Sequence, residues 1–399
     1  MDIEPKGGSA NRWTETRRMI QESARDFAMR EVLPIANKLD PIQGDIPDSL
    51  RDKMAEMGYF GILIPEKYGG LGLGAFEYCV IAEELSRAWM SVGSLIARGN
   101  GLFGLQDMTE EQRMATLPRV ARGEWLGAYA LSEPNAGSDI ASLQCRAKRV
   151  GDEWEITGNK YWCTFADGAD YIMVLARTGE YDPKKPHVGI SAFICEKPRG
   201  ELPKNVSGAP IPKIGYFGWK TWELAFDGCR VPASAIVGEE GRGFYLAQGG
   251  LEVARAHTAA RSIGLARGAL EDSIEYAKNR SQFGSPIAEL QAIRFKIAHM
   301  ATEIEACRQL MYHVCDQIDS GGRCDLEAGM VKYYAAEMAE RVTSEGIQIH
   351  GGAGYTTLFP AERYWRDARL TKIFEGTSEI QLRIISDKLL GRPAGKGRA

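Results

Sequence analysis

The sequence predicts a mainly α-helical protein with a central β domain, because the spacing of apolar residues changes twice along the 399-residue chain. Residues from about 12 to 125 carry apolar side chains at helical spacing. From about 126 to 235, short apolar or alternating runs lie between Gly, Pro and Asp, which is typical of a small antiparallel β domain. Long helical segments return from about 241 to 390 and predict a C-terminal four-helix bundle.

The first block, residues 1–125, is predicted to be an N-terminal α-helical domain. Near its start, apolar residues recur at spacings of three and four. A second helix is predicted over 75–96. A shorter one is predicted over 109–122, because Thr109 is a favourable N-cap and acidic residues fill the first turn.

The second block, residues 126–238, is predicted to be the middle β domain. Its strands are expected at 154–157, 171–176, 189–195 and 222–226, where apolar residues alternate with polar ones or form short runs. Glycine, proline and aspartate separate these runs at short intervals. Close spacing of this kind leaves room for turns but not for crossover helices, so antiparallel pairing is expected.

The third block, residues 239–399, is predicted to be the helical bundle domain. Three segments at about 243–279, 287–318 and 325–350 exceed the usual helix length and hold few breakers. The glycine-rich tail over 391–399 is expected to be disordered.

Composition and charge argue against several classes of function. The net charge of −4 gives no electrostatic reason to bind nucleic acid or a membrane surface, and no apolar run approaches the roughly 18 residues that span a bilayer. The eight cysteines include no Cys-x-x-Cys pair, which argues against a metal site or disulfide framework and favours reduced thiols. Residues 1–6 show no targeting pattern, so a cytoplasmic protein is expected.

The strongest chemical signal is a lone carboxylate, Glu375, near the C-terminus. It follows the apolar Phe374 and precedes a Gly-Thr-Ser turn. Apolar surroundings desolvate a carboxylate and strengthen it as a base near neutral pH. Gly376 permits close backbone approach to a ligand, and hydroxyls at a helix N-terminus favour an anion. The same residues are equally typical of an ordinary helix cap.

Two stretches at the entry to the β domain could bind a flat polar ligand. The loop 129–139 is dense in Ser, Asn and Gly, which offer backbone N–H groups and hydroxyls but also form ordinary turns. In the strand that follows, Trp162 could stack on a flat cofactor and Thr164 could hydrogen-bond to it. The alternative is a strand whose Trp packs inward.

Two helix ends in the C-terminal block could contact phosphate. Arg280 follows a long predicted helix, and the planar guanidinium fork matches phosphate oxygens. The glycine-rich run 351–354 would allow a ligand to approach the backbone closely. The alternatives are a cation that faces a helix dipole and a simple C-cap.

Each motif is weak alone, but their order and spacing resemble the acyl-CoA dehydrogenase family of flavoproteins. The resemblance covers nearly the whole chain, from the loop 65–70 through 226–232 to 374–377. It implies an N-terminal helical domain, a middle β domain and a C-terminal four-helix bundle. It also implies FAD as cofactor, an acyl-CoA substrate, an electron-transferring flavoprotein as electron acceptor, and a homotetramer with FAD at a subunit interface.

The resemblance also implies a role for each motif. Glu375 matches the base that removes the α-proton of the acyl thioester, while flavin N5 takes the β-hydrogen as hydride and the product is the trans-2-enoyl-CoA. The backbone N–H of Glu375 would polarise the thioester carbonyl. The positions that match FAD contacts are Leu131, Ser132, Trp162 and Thr164 at the isoalloxazine ring; Arg280, Gln282, Phe283, Gln348 and Gly352 at the pyrophosphate and adenine of a neighbouring subunit; and Thr377 and Glu379 in the subunit that supplies the base.

Some family members carry the base on the first bundle helix instead. Here the matching position is Ala254, which cannot take a proton, and Glu252 lies roughly 200° away around the helix. Ser138 matches a position along the path of the CoA moiety, and Arg255 matches one beside the active site where contact with CoA is expected.

The substrate is left open by the sequence. The Arg-x-x-Met-Ser-Val stretch from Arg87 resembles the glutaryl-CoA dehydrogenase branch, where an Arg binds the distal carboxylate. A dicarboxylic acyl group is expected if Arg87 or Arg98 points inward, although both are also typical of arginines at helix ends. Trp89 and Trp365 favour a branched or cyclic acyl chain. The alternative functions are another flavoenzyme of this fold, such as an oxidase, a monooxygenase or a non-redox lyase, and a non-catalytic assembly protein.

Overall fold

The computed structural model describes residues 12–101 and 108–391, so the tail predicted to be disordered lies outside the described residues beyond Gly391. The described helices before the sheet are α1 Glu15–Phe27, α2 Leu33–Leu39, α3 Asp48–Glu56, α4 Ala75–Ala88, α5 Met90–Leu95, α6 Ala97–Asn100 and α7 Glu110–Ala121; those after it are α8 Gly243–Gln248, α9 Leu251–Asn279, α10 Gln291–Asp319, α11 Asp325–His350, α12 Ala361–Thr371 and α13 Ser378–Leu390. The predicted α–β–α order is confirmed, while the three domain ranges stay predictions.

Two of the predicted helices are interrupted. The segment 75–96 splits into α4 and α5 at Trp89, whose backbone is extended with φ −158° and ψ 116°. The Trp89 side chain is fully buried there, so tertiary packing overrides helix propensity. The segment 243–279 splits into α8 and α9 because Gly250 has φ 75°, in the left-handed region that glycine adopts without strain.

The middle block forms one eight-stranded sheet. Its strands are β1 Gly127–Ala130, β2 Arg146–Val150, β3 Glu153–Thr164, β4 Tyr171–Arg177, β5 Ile190–Glu196, β6 Val206–Pro210, β7 Thr221–Pro232 and β8 Ile236–Val237, in the order β6-β7-β3-β2-β4-β5-β8 with β1 beside β4. The prediction of a wholly antiparallel domain is wrong in one part, because β4 runs parallel to β1 and β2. An apolar run predicts a strand but not its neighbour's direction, and the β2–β3 hairpin supplies the long connection that a parallel pair needs.

Strand β4 connects the sheet to the helices. Alternate residues of a strand point to opposite faces. Ile172 and Val174 belong to the core inside the β domain, whereas Met173 and Leu175 belong to the core that the helices share. Because both faces of β4 are covered, the run is apolar throughout rather than alternating.

The two helical blocks pack directly on each other. Helix α4 lies against α9 and α10, and α9 also contacts α11 and α12. Buried ion pairs cross this contact: Arg267 of α9 binds Glu83 and Glu84 of α4, and Arg308 of α10 binds Glu83 at 2.9 Å. This packing places α5, the first turns of α9 and the loop between α12 and α13 side by side, where Arg261 of α9 meets Ser94 of α5.

Candidate active site

Glu375 lies in the short loop between α12 and α13. Its φ is 53° and that of Gly376 is 86°, so both residues are left-handed. A residue with a side chain is strained in this conformation, and such strain is concentrated at functional sites. Thr377 then caps α13, with its Oγ1 accepting a hydrogen bond from Ile380 N–H at 3.3 Å. The cap predicted for this stretch therefore exists directly beside the candidate base.

Two side chains of α9 hold the Glu375 carboxylate. Its Oε2 accepts hydrogen bonds from Thr258 Oγ1 and from Arg261 Nη2. The Arg261 side chain is 1% exposed and that of Glu375 is 39% exposed, so the carboxylate lies at the edge of the interior. The expected apolar surroundings are present on one side only: Phe374 packs 4.7 Å from the Arg261 guanidinium, but a buried cation faces the carboxylate. The residues next to Glu375 in sequence could not predict this buried cation, because Arg261 lies 114 residues before Glu375.

Hydroxyl groups surround the Arg261 guanidinium. Nη1 donates to Ser94 Oγ at 2.8 Å and Nη2 donates to Thr258 Oγ1 at 2.9 Å. The buried Nε has no hydrogen-bond partner among the described residues. Burial raises the pKa of Tyr216 to about 12 and that of Tyr78 well above its ordinary value, so both phenols beside Arg261 stay protonated at neutral pH.

His257 is uncharged and structural. Its Nε2 lies 3.0 Å from the carbonyl oxygen of Gly93, and its ring stacks on Tyr78 with centroids 4.6 Å apart. Burial, with the nearby charge of Arg261, holds the pKa of His257 well below its ordinary value. Because its ring is occupied in packing α9 on α4, Glu375 is the better placed acid–base group of this cluster.

Lys332 of α11 fixes the loop that carries Glu375. Its buried Nζ donates a hydrogen bond to the carbonyl oxygen of Gly376 at 2.6 Å. Gln381 Nε2 donates to the same oxygen at 3.1 Å. Burial lowers the pKa of Lys332 to about 8, although the charge of Glu375 opposes this shift. The carbonyl that follows the candidate base is therefore held by two donors.

The lowered pKa of Lys332 predicts how its substitution should affect stability with pH. Between about pH 8 and 10.5 the unfolded chain keeps a proton that the folded protein releases, so the contribution of Lys332 to folding becomes more favourable as pH rises. We expect wild type to gain up to about 3 kcal/mol relative to Lys332→Met across this window. Urea unfolding at pH 7 and pH 10 would measure it. The exposed Lys278→Met is the control, and an equal gain for both lysines would contradict the prediction.

The four residues predicted to hold a flat ring come together beside the sheet. The backbone carbonyl of Leu131 accepts from Lys160 Nζ at 3.1 Å, and that of Ser132 accepts from Tyr161 N–H at 2.9 Å. Trp162 follows directly, at a register shift in β3, with φ 65° and 56% exposure. The inward-packed alternative for Trp162 is therefore wrong. Thr164 Oγ1 lies 2.9 Å from Thr221 Oγ1 at the end of the same strand.

The residues predicted to contact pyrophosphate and adenine lie at the other end of α9. Arg280 follows the helix, and Gln282 and Phe283 belong to a small hairpin of β9 Ser281–Gln282 and β10 Ser285–Pro286. Phe283 is 96% exposed and has φ 52°. Thr258 and Arg280 are 22 residues apart, which corresponds to about 33 Å along the helix. This group is therefore remote from Glu375 within one chain.

Comparison with known proteins decides the family. Family models described as the N-terminal, middle and C-terminal domains of acyl-CoA dehydrogenase match residues 14–124, 128–229 and 241–390. The chain belongs to the acyl-CoA dehydrogenase family. The predicted fold and enzyme class, an acyl-CoA oxidoreductase, are thereby confirmed.

Individual relatives agree over most of the chain. An acyl-CoA dehydrogenase of Bacillus subtilis (strain 168) is 40% identical over 385 residues, which cover 95% of this chain and 99% of that protein. A (2S)-methylsuccinyl-CoA dehydrogenase of Cereibacter sphaeroides is 41% identical over 380 residues, covering 93% and 69%. The structure of butyryl-CoA dehydrogenase from Megasphaera elsdenii matches with a TM-score of 0.89 and 34% identity, covering 98% of this chain and 100% of that one.

The described residues fit the FAD that acyl-CoA dehydrogenases use. An exposed indole held in a left-handed conformation, as at Trp162, offers a flat apolar face with polar backbone beside it. At Gly351 and Gly352, which follow the exposed Gln348, a Cβ atom would meet nothing within 4 Å, so a ligand has room to reach the backbone. Glu379 is exposed in the first turn of α13, next to the cap. Among the described residues, no group of His, Cys, Asp or Glu is arranged to hold a metal ion.

The arginines predicted to bind substrate differ from one another in this acyl-CoA dehydrogenase. All three guanidinium nitrogens of Arg87 are engaged, by Glu271 at 2.7 Å, Asp272 at 2.7 Å and Tyr364 at 3.0 Å. Its expected role as a receptor for a distal carboxylate is therefore not supported: a residue of α4 faces α9 and α12 here, not a ligand.

Arg98 and Arg255 each keep a guanidinium nitrogen that has no hydrogen-bond partner among the described residues. The half-buried Arg98 lies 5.0 Å from the ring centroid of Trp219, and its Nε has no hydrogen-bond partner within the described ranges. Arg255, near the start of α9, is 8% exposed and 4.0 Å from Asp325. Ser138 is exposed in the loop after β1. Their substrate contacts stay predictions.

Sequence reasoning missed Thr258, Arg261 and Lys332, which lie around the candidate base in this family member. A signal existed for two of them. Ala254, the position matched to the alternative base, lies four and seven residues before Thr258 and Arg261, so the three share one helix face. Lys332 gave no comparable signal, because a lysine within a long helix is usually on the surface. In the part of the chain that the structure describes, no helix is long and apolar enough to cross a membrane.

Proposed function

We propose that this protein catalyses the α,β-dehydrogenation of an acyl-CoA thioester to the trans-2-enoyl-CoA, with Glu375 as the base. The supporting observation is the position of the Glu375 carboxylate, on a strained loop where α9 meets the ends of α12 and α13. This carboxylate accepts hydrogen bonds from Thr258 and Arg261. Glu375 removes the α-proton. Bound FAD would supply the acceptor for the β-hydrogen, which leaves with its electron pair.

The chain itself orients and polarises the reacting groups. The backbone N–H of Glu375 donates to the thioester carbonyl and stabilises the negative charge that develops there. Lys332 and Gln381 keep this N–H and the carboxylate in a fixed relation by holding the next carbonyl. Phe374 and the surrounding buried side chains limit the access of water, which protects the enolate-like species from side reactions.

Two groups of residues would hold FAD. Leu131, Ser132, Trp162 and Thr164 hold the isoalloxazine ring, while Thr377 and Glu379 contact the cofactor from the loop of the base. Arg280, Gln282, Phe283, Gln348 and Gly352 hold the pyrophosphate and adenine of a neighbouring subunit. Arg280 lies about 33 Å along α9 from Thr258. One chain therefore cannot place both groups of residues on the same FAD molecule. This separation, together with the exposed Phe283, supports a site that a second chain completes, as in the homotetramer that the family resemblance implies.

Arg280→Ala should weaken FAD binding without disturbing the fold. We expect at least about a tenfold rise in the dissociation constant, since a hydrogen bond to a charged group contributes about 1.5–3 kcal/mol. Flavin content after gel filtration and fluorescence titration of the apoprotein measure it. The exposed Arg122→Ala is the matched control, and the prediction fails if both variants retain FAD equally.

The finer assignments form part of the same proposal. The acyl group is dicarboxylic, branched or cyclic, which the likeness to a protein named (2S)-methylsuccinyl-CoA dehydrogenase supports. Electrons pass to an electron-transferring flavoprotein, as in the family. The eight cysteines are all free and buried, which fits a reducing, cytoplasmic location.

Anaerobic titration of the purified flavoprotein with acyl-CoA thioesters tests the proposal. The series consists of butyryl, isobutyryl, octanoyl, cyclohexanecarbonyl, succinyl, glutaryl and an aryl-substituted succinyl thioester. We expect at least one of them to bleach the flavin. Rapid oxygen consumption with the same thioester would point to an oxidase instead. If FAD is bound and no thioester bleaches it, the proposal is wrong and a lyase or a non-catalytic role is favoured.

A further inference from the structure

The ion pair between Glu375 and Arg261 poses a problem of charge balance for the proposed reaction. Arg261 is almost fully buried on α9, and Glu375 is the one carboxylate that pairs with it among the described residues. When Glu375 takes the α-proton it becomes neutral. Arg261 would then be a buried cation without an anion, which is costly in an interior of low polarity.

Within the ranges that the structure describes, no second carboxylate pairs with Arg261 to replace the lost anion. Lys332 of α11, whose charge interacts with that of Arg261, is itself a cation, and His257 is neutral. The remaining polar groups around the guanidinium are hydroxyls: Ser94, Thr258 and the protonated Tyr78 and Tyr216. A buried guanidinium beside hydroxyl donors, with its own Nε unpartnered, is a receptor for an anion.

We propose that Arg261 binds a second carboxylate of the acyl group, so that the substrate is a succinyl-type CoA thioester with the carboxylate on the β-carbon. This inference rests on the proposed function, because it assumes that Glu375 is the base. The substrate carboxylate replaces Glu375 as the ion-pair partner of Arg261, so that Glu375 is released. Arg261 then remains paired with an anion after proton transfer. Arg261 therefore determines specificity and couples substrate binding to release of the base.

The contact distances select the position of that carboxylate. A base must come within about 3–3.5 Å of the reacting atom, and a guanidinium lies about 2.7–2.9 Å from the carboxylate it binds. Since Arg261 touches Glu375 directly, it lies close to the α-carbon. A carboxylate on the β-carbon reaches Arg261 while the α-hydrogen still faces Glu375, whereas a longer chain carries its carboxylate farther away.

The chemical step balances without further reactants. The α-C–H bond breaks and its proton goes to Glu375, the β-C–H bond breaks and its electron pair goes with the hydrogen to oxidised FAD, and a carbon–carbon double bond forms. Arg261 keeps its proton throughout. Arg87 cannot supply the same contact, because its three nitrogens are already engaged by α9 and α12.

The test compares succinyl-CoA with butyryl-CoA, which differ only by a carboxylate in place of a methyl group. In wild-type holoenzyme we expect the second-order rate constant of flavin reduction to favour succinyl-CoA by at least about 100-fold. Arg261→Gln should remove that preference, because it slows flavin reduction by succinyl-CoA far more than flavin reduction by butyryl-CoA. Arg261→Lys, which keeps the charge, should retain at least a tenfold preference. Flavin content and melting temperature establish that each variant is folded.

Binding provides a readout that does not need turnover. In the Glu375→Gln variant, calorimetry should show succinyl-CoA binding at least tenfold more tightly than butyryl-CoA, and the added Arg261→Gln substitution should abolish this difference. Equal losses for both thioesters in a folded Arg261 variant, or a preference for glutaryl-CoA over succinyl-CoA, would overturn the inference. Glu375-dependent bleaching by butyryl-CoA without any carboxylate preference would overturn the inference but leave the proposed function standing. Bleaching by no thioester would overturn both.

Discussion

Glu375→Gln is expected to slow flavin reduction by an acyl-CoA by about 10²–10⁴-fold, the range that a general base contributes. The amide cannot accept the α-proton. Its carbonyl oxygen can still accept hydrogen bonds from Thr258 and Arg261, so the loop should keep its shape. Anaerobic single-turnover measurements of flavin absorbance would show a lower rate at saturating substrate, with flavin content little changed.

Glu252→Gln is the matched control for this prediction. Glu252 is the carboxylate nearest in sequence to the alternative base position, but its Oε1 accepts a hydrogen bond from the backbone N–H of Cys324 at 2.9 Å and so belongs to the α9–α11 packing. We expect its flavin reduction to stay within a factor of a few of wild type. Retained activity in Glu375→Gln, or a large loss in Glu252→Gln, would assign the base elsewhere.

The candidate base shows how much of the site the local sequence can predict. The turn after Glu375 predicted both a helix cap and close backbone approach, and the left-handed Glu375 and Gly376 with the Thr377 cap agree with that pattern. The pattern is local, since the cap and the turn depend on neighbouring residues. Arg261 and Thr258 could not be assigned in this way, because their contact with the loop depends on how α9 packs more than a hundred residues away in sequence.

The same distinction applies to the fold. Block composition was sufficient for the α–β–α order, since helical and strand periodicities are properties of short windows. The break at Trp89 follows from burial of its side chain, and the parallel pairing of β4 follows from its place in the sheet. Neither the break nor the parallel pairing changes the periodicity of the sequence. Trp162 was ambiguous for the same reason: alternation in β3 assigns it to a face, but a register shift turns it outward.

Arg267→Met is expected to destabilise the protein by about 3–5 kcal/mol, the largest stability effect that the structure predicts. Arg267 joins α9 to α4 by binding Glu83 and Glu84, which are 2% and 1% exposed. The variant keeps the apolar stem but leaves the buried charge of Glu84 with two remaining partners among the described residues, Gln21 and the partly exposed Arg25. Glu83 retains Arg308. Urea unfolding of the holoenzyme at constant FAD concentration measures the loss.

A second substitution separates the cost of an unpaired charge from the loss of packing. In the double variant Arg267→Met with Glu84→Gln, the buried charge is removed together with its partner, so part of the stability should return. Arg122→Gln breaks an exposed pair with Glu124 and should leave unfolding unchanged. If the double variant is no more stable than Arg267→Met alone, the ion pair is not what joins α4 to α9. Because α9 also carries Thr258 and Arg261, a weakened α4–α9 contact should displace both side chains from their positions beside Glu375. Flavin reduction should therefore slow in Arg267→Met and recover in the double variant.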